Sequence, residues 1–142
     1  MTGVQTCALP ISRTHPFSNL LPDNIDLQAS ALEIVDYCVA TVHMQGFTRM
    51  FRPGNFSPDP AQEEAVKARG KEIAIKGFDT LNTALEGKDY AVGPFSIADS
   101  AMFYVEFWAG RVGIPLPTNC AAHLERMKAR PSVQRTMQQE GV

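Results

Sequence analysis

Apolar residues recur at three- and four-residue intervals through most of this chain, and the breaks between the runs carry proline and glycine. Leu27, Ala31, Ile34, Val35, Cys38 and Val42 mark one face of an amphipathic helix that begins near Asp26 and must stop after Arg52, where Pro53-Gly54 follows. The second half of this helix differs in character, because His43, Gln45, Arg49 and Arg52 bring polarity among the large apolar Met44, Phe47, Met50 and Phe51. Ser57-Pro58-Asp59-Pro60 opens a second helix, with Asp59 as N-cap and Pro60 at the first helical position. Gln62, Glu63 and Glu64 then occupy the first turn, where the helix dipole favours negative charge. The period continues through Val66, Gly70, Ile73, Ala74, Gly77, Phe78, Leu81 and Leu85 to Gly87. Interior glycines cost about 1 kcal/mol each relative to alanine, which calls for a packing reason. Gly70, Ala74 and Gly77 share a side and would admit the first helix antiparallel beside the second.

Gly87-Lys88-Asp89 reads as a turn and Tyr90 to Pro94 as a short extended connection. Ser96 then stands where an N-cap belongs, with Asp99 three positions on. The serine hydroxyl can accept from the Asp99 amide while the aspartate reaches back to the Ser96 amide, a capping box with Asp in place of Glu or Gln. The helix it starts is apolar nearly all round from Ile97 to Ala109, with Glu106 the sole charge after Asp99, and such a helix is expected to be buried on every side. It ends near Arg111-Val112-Gly113. The prolines of Ile114-Pro115-Leu116-Pro117 make a loop, Thr118 or Asn119 caps a fourth helix through Cys120, Leu124 and Met127, and Pro131 starts a fifth through Val133 and Met137. The tally is about five helices and no strand: an all-α bundle whose central buried helix starts at Ser96.

Composition adds little to this picture beyond exclusions. With 142 residues, 44% hydrophobic and 20% charged, the chain is long enough to bury a core. A formal charge of −2 without a run of like charges leaves no footprint for nucleic acid or an anionic membrane surface. No stretch reaches the roughly 18 apolar residues of a membrane span. The partners expected are small molecules or proteins, and the expected setting is the cytoplasm.

The beginning of the chain calls for separate treatment. Thr2 to Ile11 reads as the in-frame translation of a common short-read sequencing adapter, so residues 1–22 are expected to be adapter-like artefact and linker, and 23–142 the folded domain. Setting Cys7 aside leaves Cys38 and Cys120, both inside predicted helices and expected to be free, buried thiols. His15, His43 and His123 show no metal-ligand spacing, and no metal is expected.

Three features together resemble the C-terminal domain of a cytosolic glutathione transferase: Phe95-Ser96-Ile97-Ala98-Asp99 opening a buried helix, Leu116-Pro117-x-Asn119 leading to the next, and Met127-Lys128-Ala129-Arg130-Pro131-Ser132-Val133 as a helix-break-helix. The resemblance covers roughly Leu21 to Val142. It departs from the family in one respect, since the hydrophobic staple that often accompanies the box has Phe95 in its first place but Ser100 in its second. The resemblance implies a domain that supplies one wall of an electrophile pocket and part of a homodimer interface. It also implies that glutathione is a co-substrate activated by a Ser, Tyr or Cys of a thioredoxin-like domain that these residues do not include. No catalytic residue and no bound cofactor is therefore expected in this chain, which by itself should be inactive. The alternative function is a non-catalytic docking module built on the same helical domain.

For the pocket wall, the resemblance points to the first helix. Thr41, Met44, Thr48 and Phe51 share a face at helical spacing, with Phe47 beside it and Trp108 as a further candidate. Core packing is the alternative for each. Arg49 and Arg52 face glutathione, the missing domain or solvent, and Ser96 and Asp99 are assigned to folding.

Overall fold

The computed structural model describes residues 10–15 and 20–142. Among these there is no strand. Five helices follow one another, preceded by a helical turn at 10–14, within the residues expected to be adapter and linker. Most of the adapter-like segment, Cys7 included, lies outside the described residues.

Helix α1 has three consecutive sections: α-helical Ile25–Asp36, π-helical Tyr37–Phe47 and α-helical Thr48–Phe51. Asn24 caps it, its side chain accepting from the Asp26 and Leu27 amides at 2.9 and 3.0 Å. The π section carries hydrogen bonds that reach five residues back, as from Thr48 N–H to the His43 carbonyl. A turn of this kind holds more residues than an α-turn, so faces drawn at the α-helical period drift across it.

Helix α2 spans Glu63–Ala84, entered through a 3-10 turn at Pro60–Gln62 that Asp59 caps by accepting from the Ala61 amide at 2.9 Å. It packs mainly on the π section of α1. The expected small residues make the contact. A Cβ on Gly77 would stand 2.7 Å from Val42 Cγ2, and one on Gly70 2.7 Å from both Gly46 O and Arg49 Cβ. Because Gly46 meets residues 70 and 74 while Val42 meets residue 77, the two helices run antiparallel. Gly46, whose own Cβ would lie 3.1 Å from that of Ala74, completes the close approach from the α1 side.

The connection to the next helix is not extended. Gly93 takes φ +98° and donates to Tyr90 O at 3.1 Å, folding Tyr90 to Pro94 into turns that only glycine accommodates without strain. Helix α3, Ile97–Arg111, forms the predicted capping box: the Asp99 carboxylate accepts from Ser96 N at 2.7 Å, and Ser96 Oγ accepts from the Ala98 amide at 3.2 Å. Leu20 O accepts from Ile97 N at 2.9 Å, tying the preceding strand of chain to the same turn. Ser100 is exposed, so no staple forms, and Phe95 packs instead on Tyr90, with ring centroids 5.6 Å apart.

Ala98, Met102, Val105 and Ala109 of α3 fill the core together with Val35, Val42, Phe78 and Leu81. The expectation of all-round burial fails on one side. Tyr104 is 41% exposed, and Ser100, Gly110 and Arg111 are exposed, since among the described residues this helix packs mainly on α1 and α4 and a stripe is left over. Helix α4, Thr118–Lys128, takes Pro117 at its N-cap position rather than Thr118 or Asn119. The Asn119 amide is bonded from outside, by Asn82 Oδ1 of α2 at 2.8 Å, while Asn119 Nδ2 donates to Asn82 O at 3.0 Å. Helix α5, Pro131–Glu140, starts at proline as predicted and closes on Gly141 with φ +69°.

Candidate functional site

The C-terminal end of α1 and the last turns of α3 enclose a cleft of about 450 Å³ lined by His43, Met44, Thr48, Phe51, Arg52, Asn55 and Trp108. Phe51 and Trp108 form its aromatic corner, edge to face at 5.5 Å between centroids, and Tyr104 continues the ring stack from Trp108 (6.4 Å) towards His43 (5.5 Å). Met44 and Phe51 are exposed for their type at 41% and 52%, so the cleft presents apolar surface that nothing among the described residues covers.

Four of the residues singled out from spacing, Met44, Thr48, Phe51 and Trp108, thus meet on one wall. Two do not. Thr41 lies off the cleft, and Phe47 is 1% exposed in the core, against Phe51 at 6.4 Å and Phe78 at 6.3 Å. The π section shifts residues between 37 and 47 relative to an α-helical period, so Thr41 and Phe47 do not follow Met44 onto the cleft. The two arginines also part. Arg49 donates to Gln45 O at 2.8 Å and stacks 4.0 Å over Phe56, whereas Arg52 is at the cleft.

The polar chemistry of the cleft is concentrated in His43, which the sequence reading left without a role. Its Nδ1 is buried and has no hydrogen-bond partner among the described residues. Burial lowers its pKa below the ordinary histidine value, which keeps the ring neutral at physiological pH. Thr48, by contrast, spends its hydroxyl on the His43 carbonyl at 3.2 Å. A larger groove of about 530 Å³ lies at the other end of the α1/α2 pair, between Leu27, Ile34, Tyr37, Leu81, Ala84 and Val92. None of the unpartnered buried atoms is on its walls.

Ser96 and Asp99 lie far inside, both 0% exposed and out of reach of any ligand in the cleft. Asp99 carries more than the cap. Its Oδ1 accepts from Ala91 N at 2.8 Å and meets His123 Nε2 at 3.2 Å, and the same imidazole meets Glu106 Oε2 through Nδ1 at 2.8 Å. No spacing rule joins positions 99, 106 and 123. Glu106 did carry a signal, as a lone charge in an otherwise apolar helix. Among the described residues no group of three or more His, Cys, Asp or Glu could hold a metal ion. Cys38 and Cys120 are buried free thiols, and burial pushes the Cys120 thiol up to about 12.

No protein-family profile matches the chain. It is 32% identical over 126 residues to the glutathione S-transferase GstA of Escherichia coli O157:H7, a match covering 87% of this chain and 59% of the relative. The chain superposes with a TM-score of 0.88 on a glutathione S-transferase from Xylella fastidiosa, at 22% identity, over 100% of its own length and 71% of that protein. A glutathione transferase homologue from Sulfitobacter, solved with bound glutathione, gives 0.86 at 22% identity over 99% of this chain and 76% of that one. The ternary complex of BphK, a bacterial glutathione transferase, gives 0.83 at 21% identity over 100% of this chain and 68% of that one. The chain is thus similar to glutathione transferases in sequence and in fold. Its fold is that of the transferase C-terminal helical domain, and it spans about three fifths of the GstA relative. Among the described residues, no helix of this transferase-like chain is long and apolar enough to cross a membrane.

Proposed function

We propose that this chain is the helical half of an enzyme that conjugates or reduces small hydrophobic electrophiles with glutathione, and that the cleft between α1 and α3 is the electrophile wall. The observation that carries this reading is the cleft itself: an exposed aromatic and methionine surface beside a neutral imidazole. Apolar walls with few fixed polar groups are what a pocket for small aromatic substrates requires. Lowering the thiol pKa of glutathione makes the thiolate the attacking species, and the group that does so is assigned to a thioredoxin-like domain beyond these 142 residues. The stripe of α3 around Tyr104 would then face that domain, the parent enzyme would act as a homodimer in the cytoplasm, and the present chain would bind electrophile without turning it over. Its two buried free thiols suit a reducing compartment.

Trp108 is the only tryptophan of the chain and stands in the cleft, so its fluorescence reports occupancy. Titration with a dinitrophenyl–glutathione conjugate should quench it saturably, with no conjugation of glutathione to a chloronitrobenzene by the chain alone. Unsaturable quenching that persists in a Phe51→Ala variant would remove the pocket assignment, and turnover by the chain alone would place the thiol-activating group within it.

A further inference from the structure

The cluster of Asp99, His123 and Glu106 serves neither the cleft nor, in its imidazole and glutamate, the start of α3. All three side chains are 0% exposed, so the cluster cannot act on a solute. Each imidazole nitrogen faces a carboxylate oxygen, Nε2 that of Asp99 at 3.2 Å and Nδ1 that of Glu106 at 2.8 Å. A neutral imidazole carries one N–H and would turn a bare nitrogen lone pair towards one of the two carboxylates. Asp99 is bound to accept, because its oxygens already take the Ala91 and Ser96 amides and the Ser96 hydroxyl. The hydrogen between Nδ1 and Oε2 must therefore be supplied as an additional proton, resident on the ring or on the glutamate. Glu106 Oε1, without a hydrogen-bond partner among the described residues, is also easier to bury on a protonated or proton-sharing carboxyl than on a bare carboxylate.

We propose that His123 and Glu106 hold one shared proton that clasps α4 to α3, so that docking of the C-terminal helices is proton-dependent and weakens at alkaline pH. Every charge around the cluster bears on this. From α3 come Asp99 and Glu106; from α4, His123 and Cys120; from the π section of α1, Cys38; and from α2, Asp79, acting on Cys120. Tyr90, in the α2–α3 connection, makes a T-shaped contact with the imidazole at 6.4 Å between centroids, and Arg126 and Arg130 lie over the same Tyr90 ring at 5.9 and 5.7 Å. Among the described residues α5 brings no charged side chain to the cluster. The Cys120 thiol donates to Phe78 O at 3.7 Å and also interacts with the Glu106 carboxyl, whose pKa it helps to hold down against the effect of burial.

The directions of the titrations agree with the geometry. Burial pulls the His123 pKa down, but the hydrogen bonds and charges of Asp99 and Glu106 outweigh it and raise it to about 9. Burial raises that of Glu106 above the ordinary carboxyl range against the opposing pull of His123. Both shifts mean that the folded chain holds the proton more tightly than the unfolded chain. The stabilisation is complete below the ordinary histidine pKa of about 6.5 and is lost as pH rises through about 9.

Nitrogen-15 and carboxyl carbon-13 spectra of the full chain at about pH 7.5 decide the matter. The expected result is either both His123 nitrogens protonated or a protonated Glu106, giving way near pH 9. A neutral imidazole beside an ionised Glu106 would overturn the proposal. In Glu106→Gln the amide oxygen still accepts from Nδ1–H but the charge is gone. The His123 titration midpoint should fall by about one pH unit, and the drop in urea midpoint between pH 7 and pH 10 should shrink. An unchanged titration in that variant would likewise overturn the clasp, and if the variant does not fold, the native-chain spectrum alone decides.

Discussion

Gly70 of α2 rests directly on the carbonyl of Gly46 in α1: a Cβ at position 70 would lie 2.7 Å from that oxygen. In an open helix, replacing glycine by alanine gains about 1 kcal/mol. Here the sign reverses, because backbone cannot yield as a flexible side chain can. Gly70→Ala should destabilise by about 1–3 kcal/mol, and so should Gly77→Ala, whose Cβ would meet the stiff, branched Val42. Gly110→Ala in α3 is the control, since nothing lies within 4 Å of its Cβ position, and it should gain up to about 1 kcal/mol. Urea midpoints at unchanged slope measure all three, and a Gly70→Ala chain as stable as the parent would show that the helices are farther apart than described.

Asp99 and Ser96 should separate in cost although both belong to one cap. Ser96→Ala loses an ordinary N-cap, about 1 kcal/mol. Asp99→Ala strips a buried carboxylate from two amides, a hydroxyl and an imidazole, leaving those donors unsatisfied, and should cost about 3–5 kcal/mol. Equal losses in denaturant titration would mean that the box acts only as a helix start.

Arg130 offers a third comparison. Its guanidinium lies 3.5 Å over the Phe95 ring and donates to the Tyr90 hydroxyl at 3.0 Å, joining the start of α5 to the residue just before the Ser96 cap. Arg130→Ala should cost about 1–2 kcal/mol, and Arg130→Lys should recover little of it, because an ammonium neither stacks nor forks. Full recovery by lysine in thermal unfolding would reduce the contact to plain charge.

The candidate wall was half legible. Met44, Thr48, Phe51 and Trp108 meet because residues near the end of α1 return to α-helical geometry at Thr48 and because Trp108 lies one helix away at matching height. Thr41 and Phe47 were misplaced, since a π-helical section has no pattern of residue types by which it announces itself and shows only in which carbonyl each amide chooses. His43 was visible as a residue, but the burial of its Nδ1 without a partner among the described residues was not, because that depends on neighbours remote in sequence.

What the order of residues determined alone were the features set by nearest neighbours along the chain: the helix starts at Asp59, Ser96 and Pro131, the breaks at Pro53 and Pro115, the glycine stripe of α2 and the all-helical class. These rest on dihedral preferences and on hydrogen bonds spanning three or four residues, which composition specifies directly. Only the tertiary structure decided which side of α3 stays bare, why Asn119 needs no cap of its own, and that His123 should stand between Asp99 and Glu106. Those depend on which helices come to lie side by side, and a single proton placed among three buried groups is a consequence of that arrangement rather than of any spacing.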